Sequence, residues 1–266
     1  MKLSFPFPTL QLLSAFIICC AVLSAPRPAF SQAPAAGADN VILKPASATS
    51  QPQQLVNVLV VAVRGAKVAI KNAQGEISYD LEKIQEVRKA APPEFALGQR
   101  AIEAGDLEKA LPLIKGVADR YKGLPVAWAS DATAMLGNIY ISLGKLPEAE
   151  AAFNDFQKSY PASASNSTSV GKARLAAERG NFAEAKAVAE PLVADALTKK
   201  TVTRAESQLY GQAFYVLGKV AEGEGKLPEA MENYCRTVAI FYQERSVVTE
   251  AQKRIDALRQ KGITTP

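Results

Sequence analysis

The hexapeptide Gly-Lys-Leu-Pro-Glu-Ala occurs twice, as Gly144 to Ala149 and again as Gly225 to Ala230. An identical string at two distant sites marks a duplicated structural unit. Gly105 to Ala110 (GDLEKA) and Gly180 to Ala185 (GNFAEA) are looser copies, sharing Gly first, an apolar residue third and Ala last. Each reads as the turn of a helical hairpin. Gly ends one helix in the left-handed conformation, and Asp106 or Asn181 caps the next. Pro147 and Pro228 fall in a first turn that tolerates a missing N–H, and Ala permits close approach. The turn glycines lie 39, 36 and 45 residues apart. The surplus before the fourth predicts longer helices there, since each extra turn takes about 3.6 residues.

The residues around these turns keep a common register. The second unit carries Leu136-Gly137, Tyr140, Ala149, Phe153 and Pro161, and the fourth carries Phe214, Leu217-Gly218, Ala221, Ala230 and Tyr234. Leu97-Gly98, Ala101, Ala110 and Ile114 form the first unit, and Ala173, Ala176, Ala185 and Ala189 hold the third. This spacing resembles the tetratricopeptide repeat family. The expected fold is mainly α: a TPR-like helical-hairpin solenoid preceded by a small β-meander or SH3-like module. Arg245 to Lys261, with Val248, Ala251, Ile255 and Leu258 on one stripe, reads as the end helix such stacks require. The resemblance implies peptide binding along the inner faces of the first helices. By repeat position those faces carry Phe95, Gln99 and Glu103, then Asn138 and Ile141, then Arg174 and Glu178, then Tyr215, Lys219 and Glu222. A clamp for a terminal dicarboxylate would want Lys and Asn in the first helix, and Phe95 and Gln99 do not supply them.

Upstream of the repeats, Lys2 precedes an apolar stretch from Leu10 to Leu23, and Ala29 and Ser31 suit a signal peptidase cutting after Ser31. The run is shorter than the roughly 18 residues a span requires. Ile18 and Cys19 stand where a lipobox needs a small residue, so Cys19 and Cys20 are not read as lipidation sites. Residues 32–54, rich in Ala, Pro, Ser and Gln with one apolar patch at Val41-Ile42-Leu43, read as a flexible tether. Residues 55–90 then read as a β module. Leu55 to Val63, Lys67 to Lys71 and Glu76 to Asp80 alternate around short turns, with Val68, Ile70, Ile77 and Tyr79 on one face and Leu81, Ile84 and Val87 closing it. This stretch is weakly similar to SH3-like barrels, and so few strands should lean on the helices after them. Ala91-Pro92-Pro93 opens residues 91–243, the four repeats, and 244–266 form the end helix and tail.

The chain has no histidine, which removes His general bases, Ser-His-Asp systems and His-ligated metals. Cleavage after Ser31 leaves Cys235 as the remaining cysteine, so an internal disulfide is excluded, and takes the formal charge from +5 to +3. Cys235 reads as an inert helix thiol, and the acidic pairs Glu148/Glu150, Glu222/Glu224 and Glu229/Glu232 as solvated faces. Gly171-Lys172 fails as a phosphate loop because Ala173 stands where Ser or Thr would hold magnesium. Lys253, Arg254, Arg259 and Lys261 offset a helix dipole. No cofactor, metal or catalytic residue is expected. Asp155-Phe156 through Tyr160-Pro161-Ala162-Ser163 is similar to helix ends of bacterial envelope repeat proteins. The expectation is a non-catalytic protein-protein interaction scaffold of the cell envelope or periplasm, without nucleic acid and without a stable membrane span. The competing reading is a glycan- or peptidoglycan-binding module, or a subunit of an envelope enzyme complex.

Overall fold

The computed structural model describes residues 38–161, 166–242 and 245–264, so the expected signal peptide and the first residues of the tether lie outside them. Alternating apolar residues build five antiparallel strands: β1 (Asp39–Leu43), β2 (Gln53–Arg64), β3 (Lys67–Asn72), β4 (Gly75–Asp80) and β5 (Ile84–Arg88). Their order is β4-β3-β2-β1-β5. The long β2 pairs through Gln53 to Val58 with β1 and through Leu59 to Arg64 with β3. Asn57, with φ 56°, sits beside the switch between the two partners. β1 corrects the sequence reading: the Val41-Ile42-Leu43 patch of the supposed tether is a central strand, with Val41 fully buried. Its polar neighbours hid it, because Asp39 contributes through an ion pair rather than through hydrophobicity. Ile77 also departs from expectation, at 43% exposure, because β4 is an edge strand with one neighbour.

From Pro93 the period becomes helical. The four expected hairpins are α1 (Pro93–Glu103) with α2 (Leu107–Arg120), α3 (Ala127–Ser142) with α4 (Leu146–Ser159), α5 (Asn166–Glu178) with α6 (Phe182–Thr198), and α7 (Arg204–Gly223) with α8 (Leu227–Ile240). A ninth described helix, α9 (Arg245–Gln260), packs on α8. The four turn glycines have φ between 71° and 80°, so any other residue there would be strained. Asp106 caps α2 by accepting from the Lys109 N–H at 3.1 Å, whereas Asn181 makes no such bond. The surplus before the fourth turn is absorbed by the 17 residues of α6, the 20 of α7 and the segment between them.

One contact explains the Gly in each Leu-Gly pair. A Cβ on Gly98, Gly137 or Gly218 would lie 2.5–2.6 Å from the side chain of Ile114, Phe153 or Tyr234, sixteen residues on in the second helix. Gly thus seats a large side chain against the backbone of its partner helix. The third hairpin meets the same need with Ala173 and Ala189, both buried in one cluster. Small against small replaces smallest against large.

The sheet is not a separate body. Val41, Val60, Ile70, Ile84 and Val87 share one hydrophobic cluster with Phe95, Ile114, Tyr121, Leu136 and Tyr160. A polar joint runs beside it. Lys89 Nζ pairs with Asp39 Oδ2 at 3.0 Å, with side chains 10% and 6% exposed, and the same carboxylate accepts the Val60 N–H at 2.8 Å. Trp128 donates to the Lys89 carbonyl at 2.9 Å. At the other end α9 reaches back to α1, so the array of first helices closes on itself.

Candidate functional site

Because the array closes, the inner faces of α1, α3, α5 and α7 meet with α9 around a cavity of about 420 Å³. Gln99, Ile102 and Glu103 enter it from α1, Met135, Asn138, Ile139 and Ser142 from α3, and Arg174 from α5. Arg204, Gln208 and Gln212 enter from α7, Leu107 from α2 and Val247 from α9. At the mouth Arg204 faces Glu103 across α7 and α1 at 3.6 Å, both largely exposed. A pair so placed contributes little stability but sets the local field.

Deeper in, the charges are locked. Arg174, 2% exposed, donates to Glu250 Oε2 at 2.5 Å and to Ser142 Oγ at 3.0 Å, and its guanidinium lies 5.2 Å from the Tyr215 ring centroid. Tyr215 donates its hydroxyl to the same Glu250 oxygen at 3.1 Å. Burial pushes the Tyr215 phenol up from its ordinary value, with the Glu250 charge acting the same way. Burial alone would also raise the Glu250 carboxyl. The Arg174 charge and the hydrogen bonds it receives outweigh burial and hold it below the usual carboxylate value. Two further pairs extend the network: Lys219 with Glu178 at 3.0 Å, and Glu222 with Arg254 at 3.5 Å, Glu222 also accepting from the Tyr234 hydroxyl at 2.7 Å.

The expected strip therefore divides. Gln99, Glu103, Asn138 and Arg174 are brought together at the cavity. Tyr215, Lys219 and Glu222 do not line it, and ion pairs and hydrogen bonds from α5, α8 and α9 engage them. Phe95 packs near Trp128 at 6.5 Å between ring centroids, and Ile141 is buried with Phe153 and Leu175, so both are core. The register placed these helices correctly but did not reveal that α9 turns Glu250 and Arg254 onto the same face. Val247, not Val248, is the buried member of its apolar stripe. Arg204, Gln208 and Gln212 were missed. Their signal was the extra length of α7, which continues the Tyr215, Lys219 and Glu222 stripe three turns towards its start.

The cysteine Cys235 is half-buried on α8, and burial pushes its thiol up, which depletes the reactive thiolate. No helix among the described residues is long and apolar enough to cross a membrane.

Residues 95–164 and 170–244 match the tetratricopeptide repeat. Among solved structures, the 41-to-end chain of MamA from Desulfovibrio magneticus RS-1 is 19% identical, covering 65% of this chain and 98% of its own length, with a TM-score of 0.36. The ArsTM double mutant of MamA RS-1 gives 19% identity, the same coverage and a TM-score of 0.35. No curated protein matches.

Proposed function

Because the chain belongs to the tetratricopeptide repeat family, whose fold serves as a protein-interaction scaffold, we propose that it captures a segment of a partner protein in its inner cavity, outside the bacterial cytoplasm. The observation that carries this reading is the convergence of six helices on one polar-lined cavity, in whose lining Gln208 is exposed and Gln99 half-buried. Such a lining combines amides, guanidinium groups and aliphatic walls, the mixture that recognises peptide chains with directional bonds. Export is supported by Lys2, the apolar run from Leu10 to Leu23, and Ala29 and Ser31 at the expected cut.

Photo-crosslinking in the native cell tests the site. A photoreactive residue at Gln99 or Gln208 is expected to capture a discrete protein, while one at Lys71, exposed on β3, is not. Capture from Lys71 alone would move the site to the sheet. N-terminal sequencing of the purified native protein is expected to begin at Gln32, and an uncut cytoplasmic product would defeat the envelope assignment.

A further inference from the structure

The two edges of the sheet are not alike. On one, β5 breaks register with β1 beside Ile42 and Leu43 and carries the exposed charges of Arg88 and Glu86, devices that discourage a further strand. On the other, β4 (Gly75-Glu76-Ile77-Ser78-Tyr79-Asp80) keeps unbroken register with β3 and holds neither Lys nor Pro. Its acids are already paired, Glu76 with Arg64 at 2.6 Å and Asp80 with Lys83 at 2.9 Å.

The ladder fixes which backbone groups of β4 are open. Leu81 donates to the Ala66 carbonyl at 2.7 Å, one step past the pair of Lys67 and Asp80. Bonds alternate along an antiparallel ladder, so Gly75, Ile77 and Tyr79 turn N–H and C=O towards β3, and Glu76 and Ser78 turn theirs away. Both residues are exposed, and no backbone group among the described residues meets them on that side. The side chains agree. Val60, Ile70 and Ile77 stand in one cross-strand row at 1%, 2% and 43% exposure, so a row of the core ends in solvent.

An open edge of this kind is satisfied by one more strand. The sequence of β4 suits a copy of itself. Two β4 strands running antiparallel about a two-fold axis at Ile77 set Ile77 against Ile77 of the second copy, Glu76 against Ser78, and Gly75 against Tyr79. The apolar rows then join on one side of the sheet, and no like charges oppose. A Cβ on Gly75 would meet nothing within 4 Å, which leaves room for the neighbouring ring, and an aromatic beside an edge Gly is a stabilising pair. Moving the axis to Glu76 or Ser78 would set Glu76 against Glu76 or against Asp80. A slip of one residue would turn Ile77 to the polar side of the copy. In the favoured register each Glu76 and Ser78 pair exchanges both its bonds, and the two Ile77 residues form a non-bonded pair with Cα atoms about 4.5 Å apart.

We propose that the chain pairs with a second copy of itself through β4, joining two five-stranded sheets into one. This goes beyond capture in the inner cavity and does not depend on it. Short strands bury little area, so a weak dimer is expected, with a Kd on the order of 10–100 µM. Lys71 lies one strand in from the edge, two strand spacings or about 10 Å from the second copy, and stays outside the contact.

Sedimentation of the full chain is expected to show a dimer that forms over that concentration range. Ser78→Pro removes an outward N–H and no bond to β3, and Ile77→Lys puts a charge at the axis. Each should weaken dimerisation at least about tenfold and leave the circular dichroism of the monomer unchanged. With Cys19, Cys20 and Cys235 replaced by Ala, Ile77→Cys should form an intermolecular disulfide on mild oxidation. Ser78→Cys should do so at least about tenfold more slowly, because its copies lie about 8 Å apart, beyond disulfide reach. A wild-type chain that stays monomeric up to about 0.5 mM would overturn the proposal, and so would folded variants that dimerise like the wild type. Equal crosslinking at both positions would overturn it too, since it reports collision and not a fixed register.

Discussion

Glu250 carries more than its own charge, because it serves the buried Arg174 and the Tyr215 hydroxyl at once. Removing it with Glu250→Ala strands a guanidinium that is 2% exposed. The expected cost is about 3–5 kcal/mol in chemical denaturation, the range for breaking a buried pair from one side. Arg174→Ala together with Tyr215→Ala should likewise destabilise the fold, so loss of partner capture in that double variant would not identify a contact residue. The carboxyl also predicts a pH dependence. Its folded value lies below the ordinary 4.5, so its stabilisation is complete above that value and drains away as the pH falls through the folded one. The difference in stability between wild type and Glu250→Gln, measured by denaturation at a series of pH values, should therefore be largest near neutrality and shrink in acid. A difference that persists unchanged well below pH 4.5 would refute the assignment.

The hairpins were legible because everything that makes them is local. A left-handed Gly, a capping Asp106 and prolines in the first turn act within one turn of the chain, and the large residue opposite each Gly recurs at a fixed offset. Gly137 shows how strictly that offset binds. An added methyl would lie 2.6 Å from the Phe153 ring, and overpacking of that kind costs about 1–3 kcal/mol. Replacing Gly by Ala inside a helix returns only about 1 kcal/mol. Gly137→Ala should thus lower the melting temperature, and adding Phe153→Leu should recover part of the loss. If Gly137→Ala alone is stabilising, the ring has room to move and the seat is looser than described. The strand β1 was not legible for the opposite reason. Its five residues acquire meaning from β2 and β5 on either side and from Lys89, fifty positions away. The partners that engage Tyr215, Lys219 and Glu222 were hidden in the same way, since the Glu250 carboxylate that accepts from Tyr215 lies thirty-five positions on.

Sheet and repeats share one core, so a helical fragment beginning near Glu94 is expected to be less stable than the whole chain. Cutting there would remove Val41, Val60 and Ile84 from the cluster they share with Tyr121 at the end of α2. A gentler probe is Asp39→Ala, which removes the acceptor of the Val60 N–H and leaves Lys89 unpaired at the joint. It should cost about 3–5 kcal/mol and lower the melting of the helices as well as of the strands. Helical melting unmoved by this change would mean that the two parts unfold separately. The meeting of α1 with α9 has a mechanical consequence. Linear stacks of repeats fray from a free end, because a terminal unit has a neighbour on one side only. In this chain one end of the stack is anchored to the sheet and the other is fastened back onto the beginning. Force applied to the stack finds no loose repeat to peel, so extension by an optical tweezer should break the seam and the joint in one rupture, not in a staircase of single hairpins.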